Sequence, residues 1–137
     1  IRDPFILADA ATQTYYLYET TDPYKGRPYA RGVSVRTSRD LVTWSRPRPV
    51  MSVPPKQRCR TVWAPEVHKV GARYLMFATL SFYPDPEGAK GPNAARLECR
   101  RGTWIYEAAS PTGPFMMSQA CSASLKRKGR SRILAGS

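Results

Sequence analysis

The side chains able to do chemistry are few and unevenly spread. There is one histidine, His68, and three cysteines, Cys59, Cys99 and Cys121, spaced 40 and 22 residues apart with no CxxC pair. A structural zinc site would need all three thiols and the imidazole at unusual spacings, and the odd cysteine count argues against a disulfide scaffold. No metal site is expected, and the cysteines do not report a compartment. All ten Asp and Glu residues lie within residues 1–107. Among them Asp3 precedes Pro4, a step that by itself reads as a turn cap. Between residues 41 and 65 stand Arg46, Arg48, Lys56, Arg58 and Arg60 with no acid. Counterion release could give such a stretch affinity for polyanions. It is broken by Pro47, Pro49, Pro54 and Pro55 and matches no groove-reading motif, so it reads as a solvated basic loop. Nucleic acid is not the expected partner. The net charge of +12 is itself uneven, because five of the 22 bases and none of the acids fall in residues 116–137. Two kinds of sequence are joined near residue 116.

The elements that must position these groups are strands. At 137 residues and 42% apolar composition the chain has one domain's worth of length and is not of disordered type. No apolar run approaches the ~18 to 20 residues of a membrane-spanning helix. Short apolar runs such as Tyr15-Tyr16-Leu17-Tyr18 and the alternating Gly32–Thr37 have strand character, as do Trp63–His68, Tyr74–Leu80 and Thr103–Ala108. Turn formers separate them: Asp22-Pro23, Gly26-Arg27-Pro28, Pro54-Pro55, Gly71, Pro84-Asp85-Pro86, Gly91-Pro92 and Ser110–Pro114. With 13 prolines and nine glycines so placed, no long helix fits, and the expected class is all-β. A weak repeat is also visible, with Pro4 and Pro65 lying 61 residues apart and later landmarks keeping their order. Four strand-like pieces per unit fit the blades of a β-propeller, which takes ~4 to 8 blades to close. Ile1-Arg2-Asp3-Pro4 is neither a signal peptide nor an initiator start, and the chain is expected to be a processed or excised segment.

Arg2-Asp3-Pro4-Phe5-Ile6, followed by Gly32–Trp44, resembles the first blade of a glycoside hydrolase family 43 domain. Trp63-Ala64-Pro65-Glu66-Val67 with Tyr74-Leu75-Met76-Phe77 resembles the start of its second blade, and Thr103–Phe115 that blade's end. The resemblance implies a partial five-bladed β-propeller over residues 1–115, with blade one about 1–53 and blade two about 60–115. A non-matching basic tail over 116–137 follows, expected to be disordered or out of frame. It further implies an inverting glycosidase of α-L-arabinofuranosidase or β-xylosidase type, acting on pentose-containing glycans without a cofactor. Asp3 occupies the general-base position. Glu66 stands where the family carries the carboxylate that orients the general acid and raises its pKa, a place that is Asp in many members.

Such chemistry needs one carboxylate to activate water and a carboxylic acid ~6.5 to 9.5 Å away to protonate the leaving oxygen. A third carboxylate near the acid keeps it protonated near neutral pH. The family's acid is a Glu from blade three, and no acid follows Glu107 in this sequence. A frameshifted or truncated gene would give that abrupt change, and the isolated chain is expected to be inactive. Strand alternation puts Glu66 and His68 on one face of their strand, with Trp63, Pro65 and Val67 on the other. Trp63 and Trp44 are candidate sugar platforms as well as core residues, His68 reads as a strand residue satisfied by a neighbour, and Arg2 lies near the site or on the surface. The expected partners are a carbohydrate substrate and the remaining blades. The alternative classes are a non-catalytic carbohydrate-binding relic and a polyanion-binding module.

Overall fold

Aromatic and β-branched runs punctuated by proline and glycine give an all-β chain. The computed structural model describes residues 2–22, 31–54, 59–83 and 100–118. Lys56, Arg58, Cys99, Cys121, the turn formers at 23–28, 84–86 and 91–92, Pro55 and the tail from residue 119 lie outside the described residues. Among the described residues there are eight strands and no helix. Strands β1 (Phe5–Asp9), β2 (Thr14–Thr21), β3 (Gly32–Ser38) and β4 (Arg48–Ser52) form one antiparallel sheet in chain order. Strands β5 (Cys59–Val70), β6 (Arg73–Phe82), β7 (Arg100–Ala108) and β8 (Met116–Met117) form a second. These are two four-stranded meanders, the units of a partial propeller of about two blades.

Register decides which faces meet. Phe5 pairs with Tyr18 and Tyr18 with Val35 across the first sheet, so these three side chains share a face. In the second sheet Val67, Met76, Tyr106 and Met117 line up in the same way. The two faces pack on each other in one apolar cluster that includes Tyr16, Tyr18, Val33, Val35, Val67, Met76, Leu80 and Tyr106. Burying side chains such as Met76 and Leu80 completely stabilises the pair of sheets by ~1.5 to 3 kcal/mol each.

The turn between β7 and β8 also clasps the first sheet. Tyr18 Oη donates to the Pro111 carbonyl at 2.6 Å, Phe115 N donates to the Val50 carbonyl at 2.8 Å, and Arg48 Nη2 donates to the Thr112 carbonyl at 3.0 Å. The Phe115 ring meets Tyr18 edge-on at 6.2 Å. Buried Phe115 delivers the next residues to the open edge of β7, where Met116 pairs with Glu107 and Met117 with Tyr106. Ser118 N then donates to the Ile105 carbonyl at 2.9 Å. The second sheet therefore runs past the boundary set at Phe115, and its fourth strand is made from the first residues assigned to the tail.

Candidate active site

Asp3 stands just before β1, the edge strand that begins the first sheet. Its flanks are tied to β2: the Arg2 carbonyl accepts from Thr20 N at 3.2 Å and from Thr20 Oγ1 at 3.3 Å, and Phe5 enters the ladder opposite Tyr18. Between these fixed points Asp3 has φ 48°, a left-handed conformation uncommon for a residue with a Cβ and better tolerated by Asp than by most. Its carboxylate is 39% exposed and lies 4.0 Å from Arg2 Nε. Arg2 is held in turn by Asp22, whose other oxygen is 3.2 Å from Arg31 Nε. The Arg31 Nη1 donates to the Cys59 carbonyl at 2.7 Å and to the Arg60 carbonyl, which carries this chain of charges to the start of β5. Asp22 was read from sequence only as part of a turn former and Arg31 not at all; residues nine apart give no spacing rule to pair them.

Glu66 lies at a bulge in β5. Trp63 pairs with Thr79 and Glu66 with Phe77, so Ala64 and Pro65 together oppose Ala78, and Ala64 takes φ 44°. An extra residue in one strand shifts the alternation beyond it. Glu66 and His68 do share a face, opposite buried Val67, but Trp63 shares that face with them instead of lying on the other side. The strict-alternation placement of Trp63 is corrected by the bulge. Glu66 Oε1 is hydrogen-bonded to His68 Nε2 at 2.7 Å, and the two side chains are 55% and 49% exposed. The neighbour that satisfies His68 is thus Glu66 itself, a pairing available from the i, i+2 spacing on a strand.

The two carboxylate-bearing strands come together near these residues. The Phe5 ring lies 5.8 Å from the His68 ring, and Phe5 follows Asp3 by two residues as His68 follows Glu66. The Phe77 ring also meets His68, edge-on at 6.2 Å. Trp63 is half-buried with the Arg101 guanidinium stacked 4.4 Å over its ring, so one face of the indole is covered by a cation. Trp44 is not brought to this cluster. It sits in the turn between β3 and β4, two strands out from β1, and its indole Nε1 closes that turn on the Leu41 carbonyl at 3.2 Å. An open cleft lined by Asp9, Tyr15 and Arg39 lies at the β1–β2 turn, the opposite end of β1 from Asp3. Among the described residues no three His, Cys, Asp or Glu side chains cluster closely enough to hold a metal ion.

Asp3, just before β1, and Glu66, in β5, thus stand at the first strands of two consecutive four-stranded sheets. The chain belongs to glycosyl hydrolases family 43, whose sequence model matches residues 1–130, past Phe115 and into the basic tail. Solved structures agree in fold. An endo-arabinase from Bacteroides thetaiotaomicron is 28% identical, with a TM-score of 0.57 over 85% of this chain and 34% of its own. An exo-β-1,3-galactanase from Phanerochaete chrysosporium, in complex with β-1,3-galactotriose, is 22% identical, with a TM-score of 0.58 over 85% of this chain and 25% of its own. An endo-1,4-β-xylanase from Bacteroides thetaiotaomicron is 23% identical, with a TM-score of 0.55 over 87% of this chain and 33% of its own. The chain therefore spans about a third or less of the length of these proteins. No match was found among curated proteins.

Proposed function

We propose that this chain supplies the first two blades of an inverting glycoside hydrolase that cleaves pentose-containing glycans. In this reading Asp3 is the general base, taking a proton from the attacking water. Glu66 orients the general acid and, as a neighbouring anion, disfavours its ionisation. The acid itself comes from a third blade, outside these 137 residues. The observation that carries the reading is the approach of β1 to β5 at Phe5 and His68, each two residues beyond one of the carboxylates. That approach supports the placing of two carboxylates on adjacent inner strands, facing a common sugar. Pentose rather than hexose is favoured by the 28% identity to an endo-arabinase. Inversion needs no covalent intermediate: water attacks one side of the anomeric carbon as the protonated leaving oxygen departs from the other.

The test is Asp3→Asn in the complete enzyme. Loss of the base should lower turnover by ~10² to 10⁴-fold while sugar affinity stays within a few-fold. Turnover at the wild-type rate would remove Asp3 from the mechanism.

A further inference from the structure

We propose that the cleft at the β1–β2 turn is a sugar-binding site, separate from Asp3 and Glu66, in which Asp9 and Arg39 together hold one unit of a neutral glycan. Asp9 ends β1 opposite Thr14, and Arg39 follows Ser38, whose partner is Tyr15, so register brings both charges to the same end of the first sheet. The cleft there has a volume of about 540 Å³ and is lined by Asp9, Gln13, Thr14, Tyr15 and Arg39, with two alanines. That volume falls within the ~300 to 1,000 Å³ of small-ligand sites. Asp3 stands at the other end of β1, up to ~20 Å away at ~3.3 Å of rise per residue. One sugar unit does not reach both.

Both charges in the cleft have bonding capacity left over. Asp9 is nine-tenths buried, yet only its Oδ1 has a hydrogen bond, accepted from Ala11 N at 3.1 Å. Oδ2 has no partner among the described residues, and it is not sealed from solvent either. Arg39 is exposed and has neither an ion pair nor a side-chain hydrogen bond among the described residues. Its neighbour Asp40 is turned back on Ser38, Val42 and Thr43 instead. A carboxylate only accepts hydrogen bonds and a guanidinium only donates them. A simple anion would gain Arg39 and meet the charge of Asp9, and a simple cation would do the reverse. A sugar hydroxyl both donates and accepts, so neighbouring hydroxyls of one ring satisfy the two groups at no cost in net charge. The half-buried Tyr15 adds ring surface for the apolar face of the sugar, and the Gln13 amide adds a further donor and acceptor.

The test is a ¹H–¹⁵N NMR titration of the 137-residue protein with arabinose, xylose and galactose, and separately with glycine, a zwitterion that carries the complements of both charges. Saturable shifts at millimolar sugar should include the amides of residues 8–15 and of Arg39. Asp9→Asn keeps the Oδ1 acceptor for Ala11 N and removes the charge, and Arg39→Ala removes an exposed side chain. Each should weaken binding by ~10-fold or more, the worth of one hydrogen bond to a charged group, with far-UV circular dichroism unchanged. No saturable shift at these amides with any of the three sugars would overturn the proposal. So would an equal response to glycine, or wild-type affinity in Arg39→Ala. Should Asp9→Asn fail to fold, Arg39→Ala decides. Neither Asp3 nor Glu66 enters this measurement, so the site and the catalytic reading stand or fall separately.

Discussion

Trp63 and Glu66 face the same way although they are three residues apart on one strand. Pairing of Trp63 with Thr79 and Glu66 with Phe77 requires Ala64 and Pro65 to share one opposing residue, and Ala64 absorbs the change at φ 44°. A left-handed residue with a Cβ is disfavoured by ~1 to 2 kcal/mol relative to glycine in the same place. Ala64 is exposed, so its methyl group contributes no packing to lose. Ala64→Gly should therefore be neutral or stabilise by up to about 1 kcal/mol, allowing for the greater chain entropy of glycine. The urea midpoint of the variant is the measurement, and a loss of stability would show that the bulge is not strained.

The Tyr18 phenol is fully buried and donates its proton to the Pro111 carbonyl at 2.6 Å. Burial first, then the neighbouring Tyr16 and Tyr74, pushes its ionisation far above the ordinary phenol value. A group whose folded pKa is raised gives stability that is fully present below its unfolded pKa and is lost as pH rises past it, here from about pH 10 upward. Tyr18→Phe should cost about 1 kcal/mol at neutral pH and make the alkaline limb of the stability curve shallower. Denaturant titrations at neutral and alkaline pH test both parts.

Asp40 organises the turn between β3 and β4. Its Oδ1 accepts from Thr43 N at 2.7 Å, Val42 N at 2.9 Å and Ser38 Oγ at 2.9 Å. The Thr43 and Val42 amides, followed by the Ser38 hydroxyl, hold the carboxyl at about 2, below its ordinary 3.8. A depressed carboxyl contributes stability above its unfolded pKa and loses it as pH falls through the folded one. Asp40→Asn should lower Tm at neutral pH, and the difference from wild type should narrow between about pH 4 and pH 2. Scanning calorimetry across that range is the check.

Gly32 opens β3 where the chain runs closest to β4. A Cβ there would fall inside the van der Waals shell of the Met51 carbonyl and lie 3.0 Å from Ser52 Cα, and backbone atoms of a paired strand cannot step aside. Gly32→Ala should destabilise by at least ~1 to 3 kcal/mol, by overpacking alone. Since Arg31 is the adjoining residue, the variant should also loosen its hold on the Cys59 carbonyl. Hydrogen exchange at β4 and at the start of β5 would register both effects.

The two sheets were legible because their signals are local. Tyr15–Tyr18 and Gly32–Thr37 carry enough apolar and β-branched residues to read as strands, and proline and glycine mark their ends. Glu66 and His68 were legible as one face for the same reason. The bulge that turns Trp63 onto that face was not, because it is fixed by the pairing of Trp63 with Thr79 and of Glu66 with Phe77 on the neighbouring strand. Strand β8 was missed because two residues show no period; it exists because Phe115 is buried beside Val50 and feeds Met116 to the edge of β7. The stacking of Arg101 on Trp63 joins β7 to β5 across a separation no spacing rule reaches. In each case the sequence shows the residue types and tertiary pairing decides their faces.

The division of catalytic labour among blades gives the last prediction. If Asp3 and Glu66 act as base and orienting carboxylate, they can activate water and tune an acid but cannot protonate a departing oxygen. The acids of this sequence end at Glu107, which is itself engaged by Arg73 Nη1 at 2.7 Å on the outer side of β6 and so is not free to serve. The 137-residue chain should therefore show no hydrolysis of alkyl arabinofuranosides or xylosides, whose leaving groups need a proton. The complete enzyme should hydrolyse them, and ¹H NMR of the first-formed sugar should show the anomer opposite to that of the substrate. Retention of configuration would mean a carboxylate acting as nucleophile, with the two carboxyl groups ~5 to 5.5 Å apart, and would displace Asp3 as base. Hydrolysis by the 137-residue chain alone would mean that its own residues supply the acid.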